Sequence, residues 1–313
     1  MGVAFCFRNR TSRKVVRSTV LYNERKAGTI GGIAIALISG RDRTSENECN
    51  KLLSGTGFMT IANTGKSTPF GQADTHWEQG RRPIDIAKSQ AFIAGNEVHV
   101  WLAQIGSLPA CQEVLSQEEG RQVASFRSPH DQDRYQFSHR LLRFLLAAYI
   151  EIQPSAIHFQ KNRFGKPSLL HHDIPYALAF NMSHSRDHVC YVFARNRAVG
   201  IDLEFLDPDF EWDGIGQAVF SREEQHLLKS MPEAEQNRVF FQLWTRKEAQ
   251  LKALGLGLAA LDLEADRGER FAIENLQLVP FCYQNHYVGT VATDSDTPVV
   301  RFCSFKGQDA FRT

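Results

Sequence analysis

The chain has 313 residues, of which 42% are hydrophobic and 23% charged, and its formal net charge is +1. This composition is typical of a soluble globular protein long enough for two domains, and it excludes the fibrous and membrane classes. The six cysteines form no CxxC pair and no zinc-like spacing with histidine, so we expect reduced thiols in a cytoplasmic protein.

The first 95 residues differ from the rest of the chain in charge. They hold 14 Lys and Arg against 7 Asp and Glu, which leaves 22 against 28 for residues 96–313. They are rich in Gly, Ser, Thr and Asn, and their one apolar run, Ile30–Ile38, is far shorter than the about 20 residues that cross a bilayer. We predict that residues 1–95 are a disordered or non-native N-terminal extension.

A strand and a helix are predicted next. Residues 97–103 place apolar side chains at every second position, as a half-buried strand does. Ser116 and Glu119 then form the S-x-x-E pattern of a capping box, which marks the start of a helix. This helix is expected to continue to about Phe126.

Basic residues follow in two places. We predict a longer helix from Arg134, after a break at Pro129, and it carries Arg140 and Arg143. Solvent exposure is the simplest interpretation of both arginines. Residues 161–167 place three cations in a turn-like segment, which is either a solvated turn or a phosphate-binding loop.

Residues 177–185 run from an apolar strand into small hydroxylic residues around His184. A lone histidine is more often structural than functional. Hydroxyl groups, an imidazole and exposed amides at the end of a strand nevertheless suit phosphate oxygens.

Two carboxylates, Asp202 and Glu204, alternate with apolar residues in the strand predicted at residues 198–204. Residues i and i+2 of a strand project from the same face and lie about 6.5–7 Å apart, so one divalent cation can reach both. Burying two like charges on one face is costly unless a cation or a hydrogen-bonding partner offsets the repulsion. Solvated acids on an edge strand remain the alternative.

The second half of the chain repeats the first. The capping box recurs at Ser221 and Glu224, 105 positions later, between a similar strand and a similar long helix. We therefore predict an internal duplication and an α+β fold of two similar α/β lobes related by a pseudo-twofold axis. Each lobe is a small, mostly antiparallel sheet packed with helices. The expected lobes are 96–197 and 198–313, and a ligand site is expected between them.

A helix predicted at 238–254 places Glu248 in an i, i+4 row with Trp244 and Lys252. Glu248 either forms an ion pair with Lys252 or supplies a third oxygen ligand beside Asp202 and Glu204. Two or three acids with a basic loop opposite them suit a magnesium–pyrophosphate site. Four strands are expected to complete the second sheet, at 271–273, 276–283, 287–293 and 299–305.

Five motifs occur together from residue 165 onward. They are GKP at 165–167, NMSHS at 181–185, GIDLE at 200–204, FSREE at 220–224 and WTRKEAQLK at 244–252. Together they resemble the 4′-phosphopantetheinyl transferases, in the pseudo-dimeric class that activates surfactin synthetase. The resemblance runs from about residue 96 to the end of the chain. The long N-terminal stretch departs from the pattern, because typical members lack it.

The resemblance implies an enzyme that transfers the phosphopantetheine arm of coenzyme A to a serine of an apo acyl or peptidyl carrier protein, releasing 3′,5′-ADP. It implies that Asp202, Glu204 and Glu248 hold Mg²⁺, that Glu248 is also the base, and that Lys252 and Lys247 neutralise charge. The residues implied to bind the nucleotide phosphates are Arg140, Lys166, Ser183 and His184.

The partners expected from the resemblance are coenzyme A and apo carrier proteins, with no nucleic acid and no membrane, and we expect a monomer. Two other functions stay open. A magnesium-dependent phosphohydrolase would use the same acids without a carrier protein. A non-catalytic carrier-binding module would be expected to have lost an acid or the helix lysine, and none is lost.

Overall fold

The computed structural model describes residues 75–79, 93, 95–106, 114–170, 177–256 and 275–306. Within these residues the chain forms ten strands and five helices, with a single 3₁₀ turn between α2 and β3. In chain order they are β1 (Glu78–Gln79), β2 (Glu97–Gln104), α1 (Gln117–Ser125), α2 (Pro129–Ile150), β3 (Phe159–Lys161), β4 (Pro167–Leu169), β5 (Leu178–Ser185), β6 (His188–Arg195), β7 (Val199–Phe205), α3 (Asp213–Val219), α4 (Arg222–Ser230), α5 (Glu233–Leu254), β8 (Gln277–Tyr283), β9 (Tyr287–Thr293) and β10 (Val299–Lys306).

These strands form two sheets and a separate β3–β4 hairpin. The first sheet has the order β1-β10-β2-β6-β5, and the second has the order β7-β9-β8. Helix α2 packs on the first sheet, where its buried leucines meet Trp101 and Tyr191. A further core joins the two sheets to each other through the buried residues Val100, Val192 and Ile201.

The predicted duplication is confirmed by the arrangement of the two lobes. Apart from the β3–β4 hairpin and the outer strands β1 and β10, each lobe has three strands. The first pairs with the third and the third with the second, as β2-β6-β5 and as β7-β9-β8. Both capping boxes form, at Ser116 with Glu119 and at Ser221 with Glu224. The long helices α2 and α5 each have 22 residues, begin at 129 and 233, and end at 150 and 254, so they lie 104 positions apart.

Both long helices begin earlier than predicted. Helix α2 begins at Pro129 itself, and α5 begins at Glu233 rather than at Arg238. Proline has no amide hydrogen to donate, so it breaks a helix interior but suits the first turn, where that hydrogen has no helical partner. The break predicted at Pro129 does separate the two helices, but Pro129 is itself the first residue of the long helix, which was predicted to begin at Arg134.

The prediction that the last strand completes the second sheet is wrong. β10 instead pairs in parallel with β2 of the first sheet, with Val299 opposite Glu97 and Lys306 opposite Gln104. The C-terminal strand thus belongs to the lobe formed by the earlier part of the chain. The strand predicted at 271–273 lies outside the described residues.

Most of the first 95 residues also lie outside the described part, and their separation from the lobes stays a prediction. Residues 75–79, however, pack on the folded core. The Trp77 indole donates a 2.9 Å hydrogen bond to the Cys282 carbonyl. Its ring also makes edge contacts at 5.1–5.8 Å with the rings of Phe281, Tyr283 and Phe302. These five residues therefore pack with the folded core, although they precede the boundary predicted at residue 95.

We expect Trp77→Ala to lower the free energy of unfolding by about 2–4 kcal/mol, because it removes a large ring that joins β8 to β10. Chemical denaturation of the full chain measures this change. Phe164→Ala is the matched control, since Phe164 is 41% exposed and its loss should cost under about 0.5 kcal/mol. Equal effects of the two substitutions would contradict the structural role of Trp77.

Arg143 is buried, which makes the prediction of a solvent-exposed arginine wrong. Its side chain is 2% exposed and forms a 2.8 Å ion pair with Glu119. It also donates to the carbonyl oxygens of Pro154 and Ile157 at 3.0 and 2.9 Å. The arginine therefore ties α1 and α2 to the turn that follows them.

The pH dependence of stability should report this ion pair. Burial alone would raise the pKa of Glu119, but hydrogen bonds with His139 and Arg143 lower it from 4.5 to about 2. A carboxyl whose folded pKa is depressed stabilises the fold above its unfolded pKa, and this contribution is lost as the pH falls through the folded pKa. We expect the stability difference between the native protein and Glu119→Gln to narrow as the pH falls from 4.5 to 2. A difference that stays constant over that range would contradict this assignment.

Candidate active site

The centre of the candidate site is the contact between strand β7 and helix α5. Gly200 allows this contact, because a Cβ atom there would lie 2.1 Å from the Ala249 carbonyl oxygen and 2.3 Å from the Ala253 nitrogen. Strand and helix backbones therefore touch at this point. As a result, the strand acids come close to Lys252 in the last turn of the helix.

Asp202 and Glu204 are buried, with relative exposures of 3% and 6%. Lys252 Nζ lies 2.6 Å from Asp202 Oδ1 and 3.1 Å from Ser183 Oγ. The Ser183 hydroxyl donates to the same Asp202 oxygen at 2.8 Å, and Ser185 Oγ donates to Glu204 Oε2 at 2.9 Å. The alternative left open by the sequence, solvated acids on an edge strand, therefore does not hold, because both acids are buried.

Glu248 is 9% exposed and lies one helical turn before Lys252. Burial raises its pKa to about 7, with Asp202 adding to the effect. Burial and the Asp202 charge raise the pKa of Glu204 to about 8. Burial opposes a charge on Lys252, yet the nearby carboxylates of Asp202 and Glu248 raise its pKa overall. Burial and mutual repulsion thus disfavour the charged forms of these acids, and a bound cation would stabilise those forms.

The same acids could hold a divalent cation. In the described part of the chain, no three His, Cys, Asp or Glu side chains are close enough together to ligate a metal as they stand. Two buried oxygens, Asp202 Oδ2 and Glu248 Oε1, nevertheless have no hydrogen-bond partner. Unsatisfied buried oxygens are rare in folded proteins, and carboxylate oxygens are the ligands that Mg²⁺ prefers. The donor set therefore fits Mg²⁺.

Two of the predicted lysines make other contacts. Lys247 Nζ lies 2.9 Å from Glu224 Oε2, the acid of the second capping box. Lys166 donates to the carbonyl oxygens of Val199 and Ala253 at 3.0 and 2.8 Å, and burial lowers its pKa to about 8. The structure therefore places Lys166 at the end of α5, and it does not bring Lys247 to the acids.

His184 and Arg140 lie on the first lobe. His184 follows Ser183 on β5, and burial, together with the positive charges of Arg134 and Lys252, lowers its pKa to about 4. Arg140 is partly buried on α2. The residue next to His184, Ser183, is the one that donates a hydrogen bond to Asp202 on β7.

The sequence analysis assigned no individual role to Gly200, to Ser185, which stood only among the hydroxylic residues around His184, or to Asn181, whose Oδ1 accepts a hydrogen bond from the Ile201 nitrogen on β7. Gly200 stood within the quoted GIDLE motif but had no assigned role. Asn181 and Ser185 flank Ser183 at alternate positions of β5, and that period-two spacing was the signal that could have identified them.

Two similar lobes with a buried acidic centre at their junction define a class of two-lobed enzymes, built by duplication of one unit. A family model described as the 4′-phosphopantetheinyl transferase superfamily matches residues 198–294, and one described as 4′-phosphopantetheinyl transferase, N-terminal, matches residues 99–195. Each model covers one lobe.

Similar proteins carry the same description. The chain is 32% identical over 174 residues to 4′-phosphopantetheinyl transferase HetI of Nostoc sp.. The aligned region covers 54% of this chain and 73% of HetI. The chain is 30% identical over 206 residues to a phosphopantetheinyl transferase of Thraustochytrium sp., covering 52% and 66%. It is 32% identical over 158 residues to 4′-phosphopantetheinyl transferase Sfp of Bacillus subtilis, covering 46% and 67%. The chain belongs to the 4′-phosphopantetheinyl transferase superfamily.

None of the helices in the described ranges is long and apolar enough to cross a membrane.

Proposed function

We propose that the protein transfers the 4′-phosphopantetheine group of coenzyme A to a serine of an apo acyl or peptidyl carrier protein, with release of 3′,5′-ADP. Family membership supports the reaction. The observation that carries the assignment is the group of three buried acids, Asp202, Glu204 and Glu248, with the partly exposed Lys252 paired to Asp202 at the junction of the lobes.

The acids are proposed to hold Mg²⁺ against the pyrophosphate of coenzyme A. Asp202, Glu204 and Glu248 are the candidate ligands, because all three are buried and two of them have oxygens without partners. The ion, when bound, would withdraw charge from the phosphate oxygens and lower the barrier to transfer.

Two side chains are proposed to act on the reacting groups. The Glu248 carboxylate is the candidate acceptor of the proton from the carrier serine, directly or through a water molecule. Lys252 is the candidate for stabilising charge on the bridging oxygen, since its ammonium group already lies among the acids. Lys247 has weaker support for such a role because it is paired with Glu224.

Binding of the nucleotide phosphates is proposed for Arg140, Ser183 and His184. Lys166 remains a candidate, although its amine is bonded to two backbone carbonyls and would have to release one of them. We also propose that the protein is a cytoplasmic monomer that uses neither nucleic acid nor a membrane.

Release of 3′,5′-ADP tests the proposal against a phosphohydrolase. In the presence of Mg²⁺, we expect 3′,5′-ADP to be released from coenzyme A only when an apo carrier protein is present. One 3′,5′-ADP should be released for each carrier protein that is modified. Release at the same rate without a carrier would favour hydrolysis. Carrier binding without any release would favour a binding module.

A further inference from the structure

Strand β5 contacts β7 through every second side chain. The two strands belong to different sheets, so side chains of β5 make the hydrogen bonds between them. Asn181 Oδ1 accepts a hydrogen bond from the Ile201 backbone nitrogen at 3.1 Å. Ser183 Oγ donates to Asp202 Oδ1 at 2.8 Å. The pattern continues at Ser185.

The Ser185 hydroxyl has two partners on β7. It donates to Glu204 Oε2 at 2.9 Å and accepts from the Phe205 backbone nitrogen at 3.0 Å. Ser185 is 3% exposed, so water does not compete freely for either bond. Because the backbone amide occupies an acceptor site of the hydroxyl, its hydrogen is directed to the carboxylate. One oxygen of Glu204 is thereby fixed in place.

Fixing this carboxylate matters because of its neighbours. Glu204 is buried near Asp202, and two like charges on one strand face repel each other. A hydrogen bond to a carboxylate is stronger than one between neutral groups, so it favours the carboxylate orientation in which the bond forms. Substitution of a residue that hydrogen-bonds to a metal-ligating side chain typically lowers metal affinity or activity by about 10- to 100-fold.

We propose that Ser185 is a positioning residue that sets the orientation of the Glu204 carboxylate for metal binding. The proposal rests on the proposed function, since it assumes that Glu204 is a ligand. It assigns to the second serine of the SHS segment a role distinct from phosphate binding, which the sequence analysis gave to Ser183 and His184.

Three variants test the role of Ser185 in the full-length protein. Ser185→Ala removes the hydroxyl, Ser185→Cys keeps the volume with a weak donor, and Ser185→Thr restores the hydroxyl. Ser304→Ala is the matched control, because Ser304 is 5% exposed on β10 and hydrogen-bonds to Tyr283, away from the acids. Mn²⁺ binding is measured by electron paramagnetic resonance with coenzyme A present, together with melting temperature and transfer kinetics.

We expect Ser185→Ala and Ser185→Cys to weaken Mn²⁺ binding by about 10- to 100-fold and to raise the Mg²⁺ concentration needed for half-maximal transfer. The KM for coenzyme A at saturating Mg²⁺ should stay within about twofold. Ser185→Thr and Ser304→Ala should bind Mn²⁺ like the native protein. If Ser185→Ala does not fold, the comparison of Ser185→Cys with Ser185→Thr decides.

Native Mn²⁺ affinity in both Ser185→Ala and Ser185→Cys would overturn the positioning role. A loss of affinity in Ser304→Ala as large as in these two variants would also overturn it. These outcomes differ from a failure of the proposed function. In that case the native protein would itself neither bind Mn²⁺ nor modify a carrier protein.

Discussion

Asp202→Asn is expected to reduce transfer by on the order of a thousandfold, the largest effect among the substitutions considered. The change keeps the size of the side chain but removes the charge that Lys252 contacts at 2.6 Å. It also removes one of the two buried oxygens that lack a partner. We therefore expect the variant to lose both a ligand of the proposed Mg²⁺ site and the contact that positions Lys252.

Asp209→Asn is the matched control for this substitution. Asp209 lies in the same lobe, seven positions after Asp202, but its side chain is exposed. We expect a native transfer rate for Asp209→Asn, measured as the initial rate at saturating and at limiting Mg²⁺. The melting temperatures of both variants are measured as well, because loss of the ion pair between Asp202 and Lys252 lowers stability and the rates must be compared at a temperature where both variants are folded. Near-native transfer by Asp202→Asn at limiting Mg²⁺ would contradict the assignment of Asp202.

Gly200→Ala is expected to have the largest effect on the fold. The added Cβ would meet backbone atoms of Ala249 and Ala253 at 2.1–2.9 Å, so β7 and α5 must separate. Overpacking of a core typically costs about 1–3 kcal/mol, and we expect the upper end or more because backbone cannot rotate away as a side chain can. Separation would also move the acids of β7 from Lys252, so transfer should fall even where the variant still folds.

Gly120→Ala is the matched control for this glycine. A Cβ at Gly120 has no atom within 4 Å, and the residue lies in α1, where alanine is favoured over glycine by about 0.5–1 kcal/mol. Thermal and chemical unfolding should therefore show a loss of stability at 200 and no loss at 120. A Gly200→Ala variant with native stability and native activity would show that α5 does not depend on this close approach.

Local patterns in the sequence predicted a large part of the fold. The two capping boxes and the period-two strands are determined by residues close together in the chain, so their recurrence revealed the duplication. The position of β10 could not be predicted in this way. Its pairing with β2 joins Val299 to Glu97, and no local pattern specifies so distant a partner.

The same distinction holds for the candidate site. Strand periodicity placed Asp202 and Glu204 on one face, and helix periodicity aligned Glu248 with Lys252, so these residues could be proposed as candidates from local patterns. The partners of Arg143 depend on tertiary contacts, such as the ion pair with Glu119, 24 positions away. Likewise, Lys247 and Lys166 have cationic side chains suited to phosphate, but the fold directs them to Glu224 and to backbone carbonyls.

Intact-mass analysis of apo carrier proteins tests the central claim most directly. A panel of acyl and peptidyl carriers is incubated with the full-length protein, coenzyme A and Mg²⁺. We predict that at least one carrier gains the mass of a single phosphopantetheine group. The gain should require Mg²⁺ and should be lost when the acceptor serine of that carrier is changed to alanine. Carriers that all keep their apo mass, in the presence of folded protein, coenzyme A and Mg²⁺, would contradict this prediction.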